Sequence, residues 1–158
     1  MDKIPSFQKN HNVLQPGMYF STLQQGVATF DLRFKKPNAG DYLSPAAMHT
    51  IEHLLATTLR NGENKSDIIY FGPMGCRTGF YLLTVHTDYR AALCCLKDAV
   101  RAALAMDFVP GAKKAECGNY RSHDLAAAKK ELLGYSDLLD SITEAQIEHE
   151  QKKFEEAK

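Results

Sequence analysis

The chain has 158 residues, with 19 Lys plus Arg against 19 Asp plus Glu, so its formal net charge is zero. That length suits one domain with a real core, and the balanced charge argues against nucleic acid or an anionic membrane as the main partner. No apolar run approaches the roughly 20 residues of a membrane helix, and the opening Met1-Asp2-Lys3-Ile4-Pro5-Ser6 lacks a signal-peptide pattern, so the expected compartment is the cytosol.

The first clear element is a strand over residues 27–34, where Ala28, Phe30, Leu32 and Phe34 alternate with Asp31 and Arg33. Such alternation predicts one buried and one solvated face. Residues 18–23 are its expected hairpin partner, across a turn at Gln24-Gln25-Gly26. Ser44-Pro45 has the form of a helix start, N-cap then proline at the first helical position. That helix is expected to reach about Arg60 and stop at Gly62, with Met48, Ile51, Leu55 and Leu59 as its apolar stripe. Two more strands are expected over 68–71 and 80–87, joined by a Gly-rich segment that carries Cys76. Asp88 is placed to cap a second helix over 89–105, which bears Cys94 and Cys95. Residues 107–123 read as loop, followed by helices near 124–133 and from Ser141, where Ser141 and Glu144 have the spacing of a capping box. One domain over 1–150 is expected, with residues 151–158 as a charged, frayed tail. The mixed order of strands and helices points to an α+β fold with a mostly antiparallel sheet.

The most informative segment is His49-Thr50-Ile51-Glu52-His53, of the form HxxEH. Residues four apart lie one turn apart on the same helix face, so the two imidazoles can converge on one ion. Glu52 borders that face and can reach a substrate without being a ligand. Arg60, seven residues past His53, lies on nearly the same face; it can hold a substrate carboxylate or complement the helix dipole. A third ligand is required, and Cys117 is the best candidate because it sits in a polar loop. Cys94 and Cys95, in an apolar helix, are expected to be buried and structural. Cys76, beside Arg77, is placed where a cation favours the thiolate. Two arrangements stay open. Cys76 and Cys117 together would make a closed Cys₂His₂ site. Cys117 alone would leave an open position and free Cys76 for chemistry, and Glu52 favours this second form.

Four stretches in this order resemble the S-ribosylhomocysteine lyase (LuxS) family: residues 31–34 with Pro37-Asn38, residues 44–56, residues 73–81, and residues 116–121. The resemblance implies a homodimer that cleaves S-ribosylhomocysteine to homocysteine and 4,5-dihydroxy-2,3-pentanedione, the precursor of a bacterial quorum signal. The route it implies is metal-assisted carbonyl migration followed by β-elimination. It implies that His49, His53 and Cys117 bind the metal, Fe(II) by expectation with Zn or Co as substitutes, and that Cys76 and Glu52 form the acid–base pair. Ser6, His11 and Arg33 match pocket positions, and Arg60 matches a substrate-binding position. One departure stands out. An acidic residue that helps hold the amino-acid end of the substrate often lies six positions before the catalytic cysteine, followed two later by Ser; this chain has Tyr70 and Gly72 there. Two rivals to the lyase are a metallopeptidase of the HxxEH type, which normally has a carboxylate as third ligand, and a non-catalytic zinc-binding module with a closed site.

Overall fold

The computed structural model describes residues 10–158. Strand β1 (Gly17–Gln24) and strand β2 (Val27–Arg33) form the expected hairpin. Its turn places Gln25 at φ 51° and Gly26 at φ 80°. These left-handed values match the twist of a two-residue hairpin, and the second position suits glycine. Helix α1 (Pro45–Asn61) begins as the sequence predicts: the Ser44 hydroxyl accepts the Ala47 N–H, Pro45 opens the first turn, and the Gly62 N–H closes on the Leu59 carbonyl. Strands β3 (Ile68–Pro73) and β4 (Gly79–Val85) follow, then helices α2 (Tyr89–Ala105), α3 (Leu125–Asp140) and α4 (Glu144–Glu156).

The sheet order is β1-β2-β4-β3 and every pairing is antiparallel. The fold is thus α+β, as the element order implies. Phe30, Leu32, Phe80 and Leu82 from the central strands join Ile51, Leu54, Leu55, Leu93, Leu96 and Leu132 from the helices in one core. Phe34 stacks on Tyr135 with ring centres 3.8 Å apart. Gly79 sits where β4 crosses β2, and a Cβ there would come within 2.1 Å of the Leu32 carbonyl oxygen. The glycine therefore lets the hairpin carrying Cys76 lie directly against Arg33, its register partner.

Several expectations need correction. The second face of β2 is not solvated: Asp31 is 0% and Arg33 2% exposed, because they pair with each other across that face. Helix α3 runs past Leu133 to Asp140, and Ser141 is its C-cap rather than the N-cap of the next helix. The capping box of α4 is Thr143 with Gln146, one S/T-x-x-E/Q match later than Ser141 with Glu144. Cys94 is exposed, not buried, while Cys95 is half-buried and packs against the core.

The tail at 151–158 is also not frayed. Helix α4 continues to Glu156, and Phe154, 5% exposed, packs edge-on against Phe20 of β1 at 5.5 Å. One turn earlier the buried Glu150 carboxylate accepts the Phe20 N–H at 2.7 Å, where β1 departs from regular pairing with β2. The helix thereby covers the β1 edge and satisfies a donor that β2 does not. Phe154→Ala should lower the unfolding free energy by about 3 kcal/mol, the low end for truncating a buried phenylalanine. A shift of that size in the denaturant midpoint, at constant m-value, is the expected result; a shift within error would mean the segment does not dock.

Candidate metal centre and active site

Helix α1 turns His49 and His53 away from Ile51, Leu54 and Leu55, the residues that bury its inner face. The loop between α2 and α3 returns over them. His49 Nδ1 lies 2.8 Å from the Ser122 carbonyl oxygen, and His53 Nδ1 lies 2.8 Å from that of Pro110. A carbonyl can only accept, so each Nδ1 carries the ring proton and each Nε2 presents a lone pair. Two backbone carbonyls thus set both tautomers for metal binding, as outer partners of ligating histidines commonly do.

The same loop delivers Cys117, half-buried, with Sγ 3.5 Å from His49 Nε2 and 3.7 Å from His123 Nε2. The Asn119 N–H points at the sulfur from 3.4 Å. His49, His53, Cys117 and His123 form one group whose ligating atoms all lie within 4.8 Å of one another. Neutral imidazoles and a thiol that can deprotonate suit a divalent transition metal. Burial, then the neighbouring His49 and His53, hold the His123 imidazole below its usual pKa, which favours the neutral form.

Cys76 belongs to a separate group. Arg33 donates from Nε and Nη2 to both Asp31 carboxylate oxygens, at 3.0 and 2.7 Å. Its Nη1 donates to Thr78 Oγ1 at 2.6 Å and lies 3.9 Å from Cys76 Sγ. Thr78 Oγ1, already accepting from Arg33, can direct its own proton to Cys76 Sγ at 3.0 Å. Burial pushes the Cys76 thiol up. The Thr78 hydroxyl, backbone N–H donors and the Arg33 charge together outweigh that and hold it below the ordinary thiol value. Because the shift is downward, the thiolate persists below the pH at which an ordinary cysteine protonates. Alkylation of Cys76 by iodoacetamide, followed by peptide mass spectrometry, should therefore stay fast below that pH and slow at a lower one. Thr78→Val should move the inflection upward, and identical profiles for the two proteins would remove Thr78 from this role.

The remaining sequence candidates fall as follows. Glu52 is half-buried on α1 between the two histidines and makes no hydrogen bond or ion pair among the described residues. Arg60 donates to the Ala56 and Ile69 carbonyls at 3.4 and 3.2 Å, tying the end of α1 to β3. His11 lies half-buried in the turn before β1, and Ser6 lies outside the described residues. No hydrogen bond joins the Cys76 group to the metal group among the described residues, and Cys76 is not one of the converging ligands. The closed Cys₂His₂ arrangement that the spacing left open is therefore not the one formed. Tyr70 and Gly72 prove to be one local unit: the Tyr70 ring lies across the strand so closely that a Cβ on Gly72 would come within 1.9 Å of its hydroxyl oxygen.

Sequence reasoning missed His123, Thr78 and the Asp31 partner of Arg33. For His123 the available signal was its position six residues after Cys117 and directly before the helix-capping Asp124. Nothing local shows that this loop folds back onto α1.

The family described as S-ribosylhomocysteinase (LuxS) matches residues 4–147. An S-ribosylhomocysteine lyase of Borreliella burgdorferi is 43% identical over 94% of this chain and 99% of its own length. Enzymes of the same name from Clostridium acetobutylicum and Desulfotalea psychrophila are each 42% identical, again over 94% of this chain and 99% of theirs. With such matches along nearly its whole length, and the histidines of its HxxEH helix drawn together with the cysteine of the α2–α3 loop, the chain belongs to the S-ribosylhomocysteine lyase (LuxS) family.

Proposed function

We propose that this protein is an S-ribosylhomocysteine lyase that releases homocysteine and 4,5-dihydroxy-2,3-pentanedione. The observation that carries the reading is the pairing of two devices in one LuxS chain: imidazoles pre-set for a metal by backbone carbonyls, and a cysteine held toward thiolate. His49, His53 and Cys117 are the ligands of a divalent metal, Fe(II) by family expectation. When bound, the ion supplies Lewis-acid polarisation of the substrate carbonyl. Cys76, held toward thiolate by Thr78 and Arg33, takes and returns protons at carbon. Glu52, free of competing partners among the described residues, moves protons between the neighbouring oxygens. Successive transfers shift the carbonyl along the chain until the thioether becomes a β leaving group, and its departure yields homocysteine. Arg60 is suited to the substrate carboxylate.

Metal-loaded protein incubated with S-ribosylhomocysteine should liberate one free thiol per substrate consumed, measured with a thiol reagent. Folded, metal-loaded protein that releases none would overturn the reading.

We further propose a cytoplasmic homodimer whose pockets are completed across the two-fold axis by the segment bearing Ser6 and His11; among the described residues, no helix is long and apolar enough to cross a membrane. Mixing inactive Cys76→Ala and His11→Ala proteins under subunit exchange should restore about a quarter of wild-type activity, because half of the dimers are mixed and each holds one intact site. No recovery, with exchange independently verified, would place each pocket within one chain.

A further inference from the structure

We infer that Asp31 is a positioning residue for Cys76: it aims one arm of Arg33 at the sulfur, while its own negative charge leaves the thiolate able to take a proton from carbon. This rests on the lyase reading above, which makes Cys76 the base, and it concerns a group one step behind that base.

The aim is a matter of geometry. Asp31 and Arg33 alternate with the core residues Phe30 and Leu32, so they share the other face of β2. Arg33 Nε and Nη2 donate to the two Asp31 carboxylate oxygens at 3.0 and 2.7 Å, the bidentate form that fixes the plane of a guanidinium. Nη1 is left as the outward arm. It lies 2.6 Å from Thr78 Oγ1 and 3.9 Å from Cys76 Sγ. Gly79, opposite Arg33 in register, has no side chain to hold the Cys76 hairpin away from that arm. A guanidinium without the clamp could turn any of its three nitrogens toward the sulfur, or none.

The charge matters as much as the aim. Asp31 is 0% and Arg33 2% exposed, so water screens neither. An unpaired guanidinium this near the sulfur would act on it at almost full strength. The thiolate would then be abundant but feeble, because a group that keeps its charge more readily takes a proton less readily. With Asp31 in place, Cys76 meets the positive end of a neutral pair. The other groups around the pair add little charge. Thr78 is a hydroxyl. Burial first, with the Asp31 charge adding, pushes up the phenols of Tyr19 and Tyr81, the register partners of Asp31 on β1 and β4, and of Tyr135 on α3, so all three stay neutral. Arg77, next to Cys76, carries its guanidinium over the Tyr42 ring, 5.7 Å from the centroid.

The test is Asp31→Asn in the metal-loaded protein. The amide keeps the shape and one acceptor for Arg33 but removes the charge. The pH inflection for iodoacetamide alkylation of Cys76, read by peptide mass spectrometry, should fall by roughly one pH unit. On S-ribosylhomocysteine the acid limb of the kcat/KM profile should move down with it. The kcat plateau should drop roughly three- to tenfold, with KM changed less than about twofold. Damage to packing alone would lower the rate without carrying the acid limb downward. An alkylation inflection that stays or rises overturns the proposal. Wild-type protein that releases no thiol strikes the lyase reading instead, and the alkylation profile still judges the hold of Asp31 on the sulfur. If Asp31→Asn does not fold, wild-type protein with ¹³C in its aspartate carboxyl carbons decides. Coupling between two charges is mutual, so an aspartate signal should step at the pH where Cys76 ionises and lose that step in Cys76→Ala. No such step overturns the proposal as well.

Discussion

Cys117→Ala should be purified with most of its metal gone, while Cys76→Ala should keep a full complement and lose activity by roughly 10²–10⁴-fold, the scale of a positioned acid–base group. The contrast follows from where the two sulfurs sit. Cys117 Sγ faces two imidazole nitrogens and receives a backbone N–H, so its removal takes the only sulfur from the converging group. Cys76 Sγ faces a hydroxyl and a guanidinium, which can tune a thiolate but cannot bind a cation. Elemental analysis of the two variants, alongside turnover of S-ribosylhomocysteine, separates the roles. Equal loss of metal in both would return Cys76 to the ligand set and sink its assignment as the proton carrier.

Glu52→Gln should cost at least about 10²-fold in turnover with folding and metal content unchanged. The amide keeps the shape of the carboxylate and its place between His49 and His53 but cannot exchange a proton at neutral pH. Glu52 contributes no hydrogen bond or ion pair among the described residues, so the substitution removes no observed structural contact. Turnover within a few fold of wild type would take Glu52 out of the chemistry. A loss of metal together with activity would show that it supports the ion instead.

The parts of this molecule that were legible in the sequence are those governed by short-range rules. Ser44-Pro45 and Gly62 bracket α1 because capping depends on residues within one turn. The i, i+4 spacing of His49 and His53 brings their rings together because helix geometry requires it. Alternation along β2 separated Phe30 and Leu32 from Asp31 and Arg33, yet it could not say that both faces are buried. Arg33 is enclosed because Asp31 neutralises it and the Thr78–Cys76 corner covers it, and that corner arrives from more than 40 residues away. Near the C-terminus, two overlapping capping signatures competed, and the winner was decided by Ser141 already closing α3. Phe154, in a charged segment, joins Ile147 and the buried Glu150 in docking α4, which no count of charges could reveal. His123 lay in plain view beside Cys117, but its place in the converging group depends on a loop closing over a helix 73 residues upstream.

The contact between Tyr70 and Gly72 bears on the departure of this chain from the acidic residue and serine that the family resemblance implies at those places. The ring occupies the space that any side chain on residue 72 would need. Restoring serine at 72 alone would force the aromatic ring off the strand, and restoring an acid at 70 alone would uncover a bare glycine. The two sites are therefore coupled, and their separate effects on stability will not add.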